Sequence, residues 1–184
     1  GYPEFDVVSS KGTARMHLNV VGKYNVGNAL AAVTVCSAVF GIEPSDMADA
    51  LKKYHLVGRR FESMGSKNGV EIVHDYAHHP SEIAACLEGA SHYPHKKLWA
   101  VFQCNSYTRA KTLKDKYAVC FGDADTVIVP DIYPGRDIDR GEIHATDLVE
   151  AIGKNAGCVY VPTFEEIAKY LEEHAKPGDL VITL

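Results

Sequence analysis

The sequence predicts a doubly wound α/β domain with a mainly parallel sheet over residues 58–184, preceded by a shorter strand-and-helix segment over residues 1–57. Two observations carry this. Short runs such as Leu98-Trp99-Ala100-Val101-Phe102 and Thr126-Val127-Ile128-Val129 are apolar throughout rather than alternating, as strands are when both sheet faces are covered. Helix-length stretches separate them in regular succession, the pattern of βαβ units. At 184 residues, with 46% hydrophobic and 23% charged, the chain can bury one ordinary core but not a second large one.

From the beginning, Ala14 to Val20 alternate as a strand. Val26 to Phe40 run as an Ala/Val/Leu-rich helix that Asn25-Val26-Gly27-Asn28 opens and Gly41 stops. A second helix runs from Pro44 to about Lys53, with Ser45 or Asp46 as its expected cap and Met47, Ala50, Leu51 and Tyr54 on its apolar face. These elements are too few for a domain, and they read as the tail of something that begins upstream of Gly1.

Past Gly58, Phe61 to Met64 and Val70 to His74 read as strands around Ser66-Lys67-Asn68-Gly69, whose Asn-Gly pair accepts positive φ. The alternation then continues with a helix from Ser81 to His92, strand Leu98–Phe102, a helix from Ala110 to Phe121 and strand Thr126–Val129. It closes with a helix from Thr146 to Gly153, strand Val159–Val161, a helix from Phe164 to His174 and strand Leu180–Thr183. The last strand meets the end of the chain, so a following loop is expected to be missing.

Composition excludes several classes. A net charge of -5 with mixed signs leaves no basic stripe for a nucleic-acid backbone. No apolar run approaches the ~20 residues needed to span a bilayer, and the N-terminus lacks the regions of a signal peptide. No nucleic-acid partner, no membrane association and a cytoplasmic location are expected. The five cysteines are odd in number and widely spaced, which suits small buried thiols in a reducing compartment. Cys104 is set apart by its polar loop.

In open parallel sheets ligands bind beyond the carboxyl ends of the strands, where loops and helix N-termini converge. Three such loops stand out: residues 74–82, 103–112 and 130–142. The first holds Asp75, Tyr76, His78 and His79 on one turn before Pro80 and Glu82. Asp75 there either caps the following helix or belongs to a functional crevice. A metal site from His74, Asp75, His78 and His79 has suitable residue types, but alternate strand residues face opposite ways and no distant ligand is evident. In the second loop Arg109 is a candidate anion ligand, able to grip a carboxylate or phosphate bidentately, or else a helix-surface partner for Asp115. The third carries Asp131, Tyr133, Arg136, Asp137, Asp139, Arg140 and Glu142, and reads as a solvated excursion or a lid. No phosphate-binding GxxxxGK[ST] loop occurs, so the main cradle of any nucleoside triphosphate lies elsewhere.

Taken in order, Gly58-Arg59-Arg60-Phe61-Glu62, Asp75-Tyr76-Ala77-His78-His79-Pro80-Ser81-Glu82-Ile83, Phe102-Gln103 with Tyr107-Thr108-Arg109, and Gly141-Glu142-Ile143 resemble motifs of the bacterial Mur ligase family. Within it the resemblance is to the enzymes that join L-alanine to UDP-N-acetylmuramate. The stretch Gly22-Lys23-Tyr24-Asn25-Val26-Gly27-Asn28-Ala29-Leu30 is similar to that family's GxHNxxNAL helix start, at the end of a central ATPase domain. The resemblance implies three domains: one for the UDP-sugar, a central P-loop ATPase, and a Rossmann-like C-terminal domain that closes over ATP. Residues 1–57 would then be a remnant of the central domain and residues 58–184 the C-terminal ligase domain.

Carried over by position, the resemblance puts Asn25 and Asn28 near adenine, Arg60 near the ATP phosphates and Asp75 on the ribose. It puts Tyr76, His78 and Arg109 against the amino acid and acyl phosphate, with Arg60, His78 and Arg109 in catalytic roles. ATP, UDP-N-acetylmuramate and L-alanine are the implied substrates. Mg is implied as a cofactor held mainly outside this chain, with no metal ligand assigned within it. The fragment alone is expected to be inactive. Tyr24 stands where the family usually has His, and Cys104-Asn105-Ser106 where it commonly has Pro-His followed by Arg or Thr. These departures keep open a related ligase that attaches another amino acid or a tripeptide, or a non-catalytic nucleotide-binding or interaction module.

Overall fold

The computed structural model describes residues 2–184 and divides them into two compact units that meet between Val57 and Gly58. In the first unit, β1 (Glu4–Ser9) and β2 (Gly12–His17) form an antiparallel hairpin with Glu4 opposite His17 and Ser9 opposite Gly12. Helix α1 (Tyr24–Phe40) and helix α2 (Pro44–Lys52) follow. Val7, Ala14, Met16, Val33 and Met47 pack into one small cluster, and Leu18, Val20 and Ala29 into another. The strand expected at Ala14–Val20 therefore starts and ends earlier, and β1 was not anticipated. Pro44 fills the first turn of α2 after an extended Glu43, so neither Ser45 nor Asp46 is the cap.

Helix α1 ends as expected at Gly41, whose φ of 73° costs a residue without Cβ little. Its apolar residues are not confined to one side, and Leu30, Val35, Val39 and Phe40 remain exposed.

The second unit is a six-stranded sheet in the order β3-β4-β8-β5-β6-β7. Its strands are β3 (Glu62–Lys67), β4 (Val70–His74), β5 (Leu98–Val101), β6 (Thr126–Val129), β7 (Cys158–Tyr160) and β8 (Leu180–Thr183). Only β3 runs antiparallel, paired with β4 across the Asn68-Gly69 turn; the remaining pairings are parallel. The helices are α3 (Pro80–Ser91), α4 (Tyr107–Tyr117), α5 (Ala145–Ile152) and α6 (Phe164–His174).

Side-chain alternation along the strands decides which helix covers which face. Leu98, Ala100, Val127, Val129, Leu180 and Ile182 face Ile83 and Leu87 of α3, Ala110 and Tyr117 of α4, and Leu148 and Ile152 of α5. Trp99, Val101, Ile128 and Val181 face the other way, onto Ile167 and Leu171 of α6. The result is the doubly wound, mainly parallel architecture read from the sequence. Its final strand is inserted between β4 and β5. Among the described residues, no helix is long and apolar enough to cross a membrane.

Candidate functional site

The turn after β4 is held from several directions. The Asp75 amide continues the sheet by donating to Thr183 O at 2.9 Å, and His74 Nδ1 meets Thr183 Oγ1 at 2.9 Å. Asp75 itself is 3% exposed, and its two oxygens accept backbone amides: Ala77 N–H at 2.7 Å and Phe61 N–H at 2.8 Å. It is not the helix cap. That position belongs to His79, whose ring accepts from the Ser81 amide, with Pro80 as the first helical residue. Burial works to raise the Glu82 carboxyl, but the His78 and His79 amides, each 3.2 Å from Oε2, outweigh it and leave it below the usual glutamate range.

Asp75 thus braces the segment Gly58–Phe61 against the turn. Arg59 and Phe61 take left-handed φ values of 64° and 45°, which bulky L residues seldom adopt, and the Tyr76 amide donates to Arg59 O at 2.8 Å. The guanidinium carbon of Arg59 lies 4.8 Å from the Tyr76 ring centre and that of Arg60 lies 5.8 Å away, both in cation–π range. The His78 ring meets the Tyr76 ring edge-on at 5.3 Å. Its Nδ1 lies 2.9 Å from Tyr76 O. A carbonyl can only accept, so Nδ1 is the donor in this contact and Nε2 is not used by it.

The second loop enters helix α4 earlier than the sequence suggested. Ser106 is the N-cap, and its Oγ accepts from the Arg109 amide at 3.2 Å. Arg109 is therefore in the first helical turn rather than in a loop. It is half-buried and forms no ion pair with Asp115 or any other described residue. Cys104 is buried despite its polar neighbours, and burial pushes its thiol up to about 11, which makes it an inert side chain at neutral pH.

The third loop is fastened to the second. Ser106 N–H donates to Tyr133 O at 2.7 Å and Tyr133 N–H to Cys104 O at 3.0 Å, a short parallel bridge. Asp137 accepts the Thr108 amide at 2.8 Å, which lowers its carboxyl, and Lys111 pairs with Glu142 at 2.7 Å. It is a clamp on the start of α4 and not a free excursion.

These loops open onto a cavity of about 770 Å³ at the carboxyl ends of β4, β8 and β5. Arg59, Asp75, Tyr76, His78, Gln103 and Arg109 line its polar end. Val70, Ile72, Ile167, Leu171 and Val181 line an apolar extension along the α6 face of the sheet. Of the residues singled out in this unit, Asp75, Tyr76, His78 and Arg109 line the cavity together, whereas Arg60 sits over the Tyr76 ring outside the lining. Arg59 was missed, since nothing local distinguishes two adjacent arginines.

Asn25 and Asn28 belong to the first unit. Asn25 is buried, its Nδ2 donating to Val21 O at 2.8 Å and its Oδ1 accepting from Asn28 at 3.0 Å. Among the described residues, no group of three or more His, Cys, Asp or Glu side chains is arranged to hold a metal ion. In the turn His79 Nδ1 caps a helix and His78 Nδ1 binds Tyr76 O.

Residues 59–184 match the family model described as Mur ligase, glutamate ligase domain. A UDP-N-acetylmuramate--L-alanine ligase of Acetivibrio thermocellus is 41% identical across the whole chain, which spans 39% of that protein's length. Among solved structures, a UDP-N-acetylmuramate-alanine ligase of Thermotoga maritima shares the fold at a TM-score of 0.75 and 21% identity, over 95% of this chain and 37% of that one. A murein peptide ligase of Psychrobacter arcticus aligns at a TM-score of 0.66 and 25% identity, over 98% of this chain and 38% of that one. With the family model matched over one continuous stretch that makes up most of its residues, the chain belongs to the Mur ligase family.

Proposed function

We propose that this chain is part of an ATP-dependent ligase that joins L-alanine to UDP-N-acetylmuramate through an acyl phosphate, a cytoplasmic step of peptidoglycan precursor synthesis. In this reading residues 1–57 are the last part of a central ATPase domain and residues 58–184 are the Rossmann-like ligase domain. The observation that carries it is the convergence of Asp75, Tyr76, His78 and Arg109 on one cavity at the strand ends, in a chain whose relatives bear that name.

The chemistry suits these groups. Attack of the amine on the acyl phosphate forms a C–N bond, builds negative charge on the carbonyl oxygen and expels phosphate. Arg109, without a competing anion, pairs with the amino acid's carboxylate and holds the amine in line. In its neutral form, with Nδ1 as the donor to Tyr76 O, His78 has an Nε2 lone pair that can take the proton lost by the attacking ammonium. Arg60 is assigned to the ATP phosphates, where its cation would meet the accumulating negative charge. Asp75 is assigned to the ATP ribose, and Asn25 and Asn28 to the adenine. In this reading ATP and Mg complete the reaction, with the Mg held mainly by the rest of the central domain.

The test is ADP release by the complete protein from ATP, UDP-N-acetylmuramate and L-alanine, with other amino acids and a tripeptide offered in parallel. ADP release that depends on L-alanine is expected; release only with another acceptor transfers the assignment to a sister activity. In the same assay Arg109→Ala should lower kcat/KM for L-alanine by about 30-fold or more, as loss of a buried charge partner does. Unchanged L-alanine kinetics would refute the carboxylate role.

A further inference from the structure

Beneath the site, Tyr117 closes helix α4 with a side chain that is 0% exposed. Its ring packs 4.9 Å from that of Phe102, a contact that phenylalanine would make equally well. Its hydroxyl does something else: it donates to His78 O at 2.9 Å. A buried hydroxyl is costly unless it is bonded, so a Tyr at a position fit for Phe indicates that the bond itself matters.

The bond joins two pieces of the site. His78 O belongs to the peptide between His78 and His79, in the turn that carries Tyr76, His78 and the helix cap. Tyr117 lies about 12 Å along the same helix from Arg109, whose own end is clamped by Ser106 and Asp137. The Cys104 thiol also lies beside the hydroxyl, and Cys104 O holds Tyr133. The hydroxyl therefore touches the first two strand-end loops, and the third is fastened to the second through Cys104 O.

We infer that Tyr117 is a positioning residue, whose hydroxyl sets the spacing between the His78 turn and the Arg109 helix and so tunes recognition of the amino acid. The inference rests on the functional reading above. Tyr117→Phe removes one oxygen and keeps the ring, so the protein stays folded. In the complete protein it should raise KM for L-alanine by about 3- to 10-fold, the worth of one hydrogen bond, with KM for ATP within about twofold of wild type. A variant that loses thermal stability with no selective change in the L-alanine KM would show the hydroxyl to be structural only, and overturn the inference.

Hydrogen exchange of the same two proteins needs no turnover. Amides of residues 76–79 should exchange faster in Tyr117→Phe while those of β6 keep the wild-type rate; equal rates in the turn would overturn the inference as well. Wild-type protein that releases no ADP would instead refute the functional reading, and the exchange result would still decide whether Tyr117 holds the turn.

Discussion

Asp75 shows how much a single carboxylate can organise. Each of its oxygens accepts a backbone amide, the buried one two residues onward and a half-buried one fourteen residues back. Asp75→Asn replaces one acceptor by a donor that faces a donor, so it should destabilise the domain by about 1–3 kcal/mol in urea unfolding, the cost of one buried unsatisfied amide. A loss no larger than that of an exposed Asp→Asn control would contradict the bracing role. The sequence identified Asp75 as important but offered helix capping as its structural role. Its partner Phe61 is distant in sequence, and only the folded hairpin brings that amide within reach. Cys104 teaches the converse, because its neighbours are polar yet the chain turns it inward.

Among the elements, the β3-β4 hairpin depends on local chemistry. Asn68 and Gly69 take φ values of 53° and 77°, the pairing expected of an Asn-Gly turn. At Gly69 a Cβ would also lie 3.0 Å from Pro177 Cβ and 3.3 Å from its Cα. Gly69→Ala should therefore cost about 1–2 kcal/mol from backbone conformation alone, more if Pro177 cannot yield, as measured by equilibrium denaturation. A neutral substitution there would show that the turn can change type.

Strands β6 and β8 and helix α6 lie where the pattern put them, since apolar run and cap coincide in sequence. Helix α4 does not, because Ser106 enters it at a φ of 84° that no periodicity anticipates. Three residues of the polar stretch are thereby converted into a first helical turn, with Arg109 among them.

For the whole molecule, the displaced carboxylates all move the same way. Arg15 bonds Glu4, Lys111 bonds Glu142, Lys67 bonds Glu172, the Thr108 amide bonds Asp137 and two amides hold Glu82, so each titrates below its ordinary range. A depressed carboxylate stabilises the fold above its unfolded pKa and loses that contribution as pH falls through the folded value. Stability should thus decline as pH drops below about 4.5. At the other end, burial pushes Cys104 up to about 11 and Cys120 and Cys158 up to about 12. That contribution is present below the ordinary thiol pKa and is lost as pH rises past about 8.5 toward the folded values. Urea midpoints from pH 3 to 10 should trace a plateau with both flanks falling; a midpoint that rises on acidification would contradict the carboxylate contribution.

By itself the sequence determined the α/β class, nearly every element of residues 58–184 and the polar strand ends that line the cavity, because apolar runs, caps and Asn-Gly or Pro signals act over a few residues. Strand order, the insertion of β8 between β4 and β5, the choice of Arg59 rather than Arg60 as a lining residue, and the bond from Tyr117 to His78 were decided only in the tertiary structure. Each depends on which distant segments share a layer, and burial energy selects that arrangement globally, leaving no signature in the spacing of neighbouring residues.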